Sequence, residues 1–193
     1  MVELSDQLPP ALGRTVRRMI AVKSVFLSIS TFILALTFFL VVVLRYILHS
    51  DLFAYEEWLL PLCFWMFFLG SAVGTYEDSQ IKADILESWI KNPKVIWWRK
   101  VTLTVIELII TLFLVYWAVL MLADELAAYP QWQATIALRI PFAVPRFGMF
   151  VGLSFMAFYS ALHLYVLLTL GPGSLISRLD ESGISGNPGK AHE

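Results

Sequence analysis

Residues 24–44 read SVFLSISTFILALTFFLVVVL, without one charged side chain. A helix rises about 1.5 Å per residue, so roughly 20 apolar residues cross the ~30 Å of hydrocarbon in a bilayer. This run is long enough, and it continues past Arg45 to residue 48. Three more runs follow outward from it, over about 58–76, 99–122 and 147–170. The second is charge-free, the third carries Glu107 in its apolar part, and the fourth carries His163. Backbone groups in lipid must satisfy one another, so open runs of this length form helices and not strands. The first run is too long for the apolar region of a signal peptide and no A-x-A site follows it, so it reads as a retained helix.

Composition agrees. Hydrophobic residues make up 59% of the 193 and charged residues 15%, against about 45–50% and 25% in a soluble domain. A net charge of -1 offers no basic surface to nucleic acid. The single cysteine, Cys63, excludes an internal disulfide, a CxxC redox pair and a thiolate zinc site.

Orientation follows from the lysines and arginines. Eleven of the 14 fall on one side: Arg14, Arg17, Arg18 and Lys23 before the first span, Lys82, Lys91, Lys94, Arg99 and Lys100 between the second and third, Arg178 and Lys190 after the fourth. Arg45, Arg139 and Arg146 fall on the other, with Asp51, Glu56, Glu57, Asp124 and Glu125. The expectation is an all-α membrane protein of four transmembrane helices with both termini cytoplasmic. Residues 1–23 form an N-terminal cytoplasmic segment, 24–170 the membrane domain, and 171–193, rich in Gly, Ser and Pro, a flexible cytoplasmic tail. Trp58 and Trp97-Trp98 stand where an aromatic belt anchors helix ends.

Two connections carry patterns of their own. Ile81, Ile85, Leu86, Trp89 and Ile90 recur at helical spacing, with Lys82, Asp84, Glu87 and Lys91 opposite. This predicts an amphipathic helix over about 79–92, stopped by Asn92-Pro93, lying in the interface plane or packing on the protein's own helices. Between Pro130 and Pro141, Trp132, Ala134, Ile136, Leu138 and Ile140 alternate with other residues. Period two predicts an extended segment with one buried face.

Catalytic, cofactor and metal chemistry finds little to work with. The three histidines, His49, His163 and His192, lie at unmatched depths and cannot make a bis-His haem site. No cluster of His and acids suits a hydrolase metal, and no phosphate-cradling loop occurs. A self-sufficient carrier usually shows intramembrane acids, broken helices or inverted repeats. Here Glu107 is the one candidate acid, which favours an accessory subunit. Two rival readings stand beside it: a membrane anchor of a respiratory or other enzyme complex, and a small exporter with Glu107 at the centre of a homodimer.

Three sets of residues invite structural roles. Arg45 and Glu57 share the outer boundary of the first two helices and are expected to form an ion pair. Glu107 and His163 lie at similar depth on consecutive antiparallel helices and are expected to hydrogen-bond, since a lone carboxylate there is costly. Gly70 with Gly74, and Gly148 with Gly152, make two GxxxG spacings that let helices approach closely. Their depths differ, so they cannot pack on each other.

An ordered set of motifs adds a resemblance. Arg45-Tyr46 closes the first helix and Glu56-Glu57-Trp58 opens the second. Phe68-Leu69-Gly70-Ser71-Ala72 follows, then Ile81-x-x-Asp84-Ile85-Leu86, then Ile140-Pro141 before a Gly-containing fourth helix. Over roughly residues 20–170 this resembles the small membrane subunit of tripartite ATP-independent periplasmic (TRAP) transporters, the DctQ/SiaQ-like family. Members often carry basic residues and a His before the Ile-x-x-Asp stretch, where this chain reads Tyr76-Glu77-Asp78-Ser79-Gln80. The resemblance implies a bacterial inner-membrane scaffold without cofactor. It would form a heterodimer with a large permease subunit that holds the substrate and sodium sites. A periplasmic binding protein would dock transiently and deliver an organic acid.

Overall fold

The computed structural model describes residues 9–77, 93–128, 130–131 and 133–181. The amphipathic helix expected over 79–92 lies outside these, as do the first eight residues and those after 181. The chain forms four helices: α1 (Pro10–Tyr46), α2 (Tyr55–Tyr76), α3 (Pro93–Ala127) and α4 (Ala143–Glu181). All four are long and apolar enough to cross a membrane, over Leu12–Tyr46, Tyr55–Tyr76, Lys94–Ala127 and Ala143–Thr169.

Two boundaries differ from the sequence expectation. Helix α1 begins at Pro10, well before the apolar run, because proline at the first helical position loses no intrahelical hydrogen bond and brings a fitting φ. Helix α4 continues through Gly171, Pro172 and Gly173 to Glu181, so residues 171–181 of the expected tail are helical. A proline withdraws one donor and strains the preceding turn, without forcing the chain to stop. Within α2, Pro61 likewise cannot donate to the Glu57 carbonyl.

The helices stand in a row ordered α1, α2, α4, α3, with α4 packing on both α2 and α3 and α1 mainly on α2. The flanking helices bury narrow seams. Along α1, Val16, Lys23, Ser30 and Thr37 are buried at seven-residue intervals, and Ile20, Leu27, Leu34 and Val41 between them are half-buried. Along α3, Thr111, Ala118 and Glu125 are buried at the same interval, with Leu108, Val115 and Leu122 half-buried. A 3.5-residue period of this kind is a coiled-coil seam, and its small residues set neighbouring backbones close together. Most other positions on these two helices are exposed and apolar, including Phe32, Phe39, Ile109 and Phe113. Hydroxyls within the spans turn back on their own helices: Thr37, Thr75, Thr111 and Ser154 each donate to the carbonyl four residues earlier. These four hydroxyls then need no water in lipid.

A core cluster gathers where the two chain ends leave the row: Val16, Ala72, Tyr76, Tyr159 and Val166, with Ile20, Phe155, Met156 and Leu162 against it. Val16, placed in the N-terminal segment by sequence alone, is 1% exposed and belongs to this core.

The opposite end carries the α1–α2 and α3–α4 connections. The three non-glycine residues with positive φ among the described residues, His49, Ala54 and Arg139, all lie there. Left-handed backbone in an L-residue costs roughly 1–2 kcal/mol, so these bends are held by their surroundings. The α3–α4 connection is not the extended segment that its alternation predicts. Ala134 bridges Pro141 in antiparallel fashion, and the chain turns back between them. Ile136 and Leu138 are exposed, while Thr135 and Ile140 are half-buried. A tight turn imposes its own directions on side chains and cancels the period-two face.

Candidate functional site

The polar side chains of the four helices are the groups able to do more than pack, and the structure gives most of them partners within the chain. At the connection end, Glu57 opens α2. Its Oε1 accepts from the Ala137 N–H at 2.9 Å and its Oε2 from the Leu138 N–H at 2.7 Å. Two consecutive backbone N–H groups form a small anion-binding nest. The expected Arg45–Glu57 ion pair is not made. Arg45 is exposed, and both oxygens of Glu57 already hold the turn that reaches over from between α3 and α4. At the same end Glu125 of α3 and Arg146 of α4 form an ion pair through Oε2 and Nη1. Glu125 is 5% exposed, and its Oε1 is buried without a hydrogen-bond partner among the described residues.

Further along the row, Glu107 Oε1 accepts from Ser160 Oγ at 2.8 Å. His163 Nε2 lies 3.0 Å from the Thr75 carbonyl and 3.2 Å from that of Tyr76. Carbonyls only accept, so this nitrogen carries the proton. The expected Glu107–His163 contact is therefore replaced by two separate ones. Helix α4 stands between α2 and α3; Ser160 meets α3, and His163 meets the C-terminal turn of α2, whose last carbonyls lack intrahelical donors.

Lys23 is the tie between α1 and α4. It is 6% exposed, donates to Tyr159 Oη at 2.8 Å, and lies 3.2 Å from the Phe155 ring centroid. Hydrogen bond and cation–π contact together compensate a buried ammonium. In the sequence Lys23 reads as one more positive charge beside the membrane. Its seven-residue spacing from Ser30 and Thr37 is the signal that marks it as inward.

The glycines divide by partner. A Cβ on Gly70 would meet Leu27 Cδ2 of α1 at 3.8 Å, an ordinary contact. On Gly148 it would stand 2.8 Å from the Trp65 ring, and on Gly152 it would press into the Phe68 backbone. Gly148 and Gly152 thus form the groove in α4 that receives α2, while Gly70 faces α1. Gly74, which completes the first spacing, is half-buried. Trp65 Nε1 also donates to the Val144 carbonyl at 3.1 Å, and Trp97 Nε1 to that of Leu167 at 3.1 Å. Two indoles therefore pin α4 near its two membrane boundaries. Among the described residues no three of His, Cys, Asp and Glu converge to hold a metal ion.

Four apolar spans in a row, with their polar groups turned on one another, describe a multi-pass membrane protein. Residues 33–170 match the family of tripartite ATP-independent periplasmic transporters, DctQ component. The match covers most of the chain, and the protein belongs to this family: it is the small membrane component of a TRAP transporter. No curated relative matches it.

Proposed function

We propose that the chain is the non-transporting scaffold of a sodium-coupled TRAP importer for an organic acid. It seats the large permease subunit as a heterodimer and offers a docking surface to the substrate-binding protein. One observation carries this reading. Glu57, Glu107, Glu125, Lys23 and His163 each hold one part of this chain to another, and the outward faces of α1 and α3 are apolar. A carrier keeps intramembrane charges for its cargo; here they serve the fold. In this reading both termini are cytoplasmic in a bacterial inner membrane, as the excess of Lys and Arg on that side supports. The connection end faces the periplasm. Reconstitution tests it. Sodium-driven uptake is expected only when this chain, the large subunit and the binding protein are all present. Uptake by this chain alone would overturn the proposal.

A further inference from the structure

We infer that the turn over residues 133–142 is a rigid docking knob, whose tip Ile136 enters an apolar pocket on the soluble binding protein, and that Glu57 is the positioning residue that sets its shape. The inference rests on the function proposed above and assigns a contact that function leaves open.

Rigidity comes first. The Phe142 N–H donates to the Gln133 carbonyl at 3.0 Å and the Thr135 N–H to the Ile140 carbonyl at 3.0 Å. The Ile140 N–H donates to Thr135 Oγ1 at 2.9 Å. Glu57 then takes the Ala137 and Leu138 N–H groups from a different helix. Surface turns usually leave such groups to water. Here a carboxylate eighty residues away in sequence replaces it and fixes the tip.

Ile136 follows from that frame. It is 96% exposed. A lone apolar side chain on a surface needs no explanation. A branched aliphatic held out on a turn closed by five hydrogen bonds cannot fold back to cover itself, and it is already ordered before any partner arrives. Pre-ordering of this kind lowers the entropic cost of binding. Exposed Arg139 follows the tip and exposed Glu56 adjoins Glu57, so an apolar anchor is set among charges of both signs, the pattern of an interface core with a polar rim.

Position selects the occupant. Glu57 begins α2, and α2 with α4 forms the middle of the row. The turn reaches from the α3–α4 connection back across α4 to that middle. A subunit beside the row in the bilayer has the apolar faces of α1 and α3 to meet; the turn lies outside the spans that end at Ala127 and begin at Ala143, where a water-soluble protein can reach its tip without entering lipid.

The test uses nanodiscs holding this chain with its large subunit, titrated with the fluorescently labelled binding protein of the same transporter. Ile136→Asp is expected to weaken binding about tenfold or more, the loss typical of a central interface anchor, without lowering the amount of large subunit that co-purifies. Glu57→Ala is expected to weaken binding in the same direction. The double variant is expected to bind no worse than Ile136→Asp, because both changes remove one contact; a merely structural effect of Glu57 would add to the loss. Unchanged affinity in Ile136→Asp would overturn the inference, as would loss of the large subunit from that variant, which would hand the tip to a membrane partner. Failure of the wild-type chain to form a complex with the large subunit would remove the scaffold reading as well, which separates the two failures.

Discussion

Gly152 of α4 rests directly on the backbone of Phe68 of α2: a Cβ added there would lie 2.8 Å from both the carbonyl carbon and the carbonyl oxygen of Phe68. Backbone cannot step aside, so Gly152→Ala must push the helices apart. A cost of about 1–3 kcal/mol is expected, the usual range for overpacking. Gly148→Ala meets the Trp65 ring instead, which can turn at the expense of its bond to Val144, and a smaller loss follows. Gly70→Ala is expected to be nearly neutral. Thermal unfolding in detergent, run on all three, reads the order Gly152, Gly148, Gly70. A reversed order would mean that the α2–α4 contact is looser than described.

His163 acts as a cap on α2. Replacing it by Leu removes its hydrogen bond to the Thr75 and Tyr76 carbonyls, at about 0.5–1.5 kcal/mol for one such bond lost. His163→Gln keeps a donor and is expected to recover part of that. Amide hydrogen exchange in the last turn of α2 is the measurement, and faster exchange in His163→Leu than in His163→Gln is the expected result.

Glu107 couples to Ser160 and not to His163. A double-mutant cycle with Glu107→Ala and Ser160→Ala is expected to show an interaction of roughly 1 kcal/mol, the scale of interhelical hydrogen bonds in membranes. The cycle with His163→Ala is expected to close near zero. Coupling to His163 of equal size would restore the direct contact that the sequence suggests.

The ion pair at the connection end is the costliest to break. Arg146→Ala leaves the buried Glu125 carboxylate uncompensated, and about 3–5 kcal/mol is expected. Changing both to Met is expected to restore much of the loss, since a well-packed apolar pair avoids the desolvation penalty. Expression level and melting temperature of the single and double variants decide it; a double variant as unstable as Arg146→Ala would count against the pair.

What could be read in advance, and what could not, divides along a physical line. Span number was legible because crossing lipid demands an apolar length that a sequence displays openly. The inward faces were harder, since helices apolar all round hide their period; only Lys23, Ser30 and Thr37, spaced by seven, mark the seam of α1. The family was legible from ordered motifs such as Glu56-Glu57-Trp58. Partners of the polar residues were not. Glu57 binds two backbone N–H groups and His163 two backbone carbonyls, and every residue type but proline offers both, so no letter announces them. Arg45 and Glu107 invited side-chain partners because charge is the only complement a sequence spells out. Of the glycine pairs, Gly148 and Gly152 lie against Trp65 and Phe68, surfaces that depend on how α2 is rotated.

The row of helices has a consequence for assembly. About a third of the membrane window of α4, the most enclosed helix, is buried, against about a tenth in α1: 33% and 11%. With so little of each flanking helix covered by its neighbours, the chain alone leaves most of its membrane surface to lipid. Joining another subunit then exchanges lipid contacts for protein contacts, driven by close packing and not by removal of apolar surface from water.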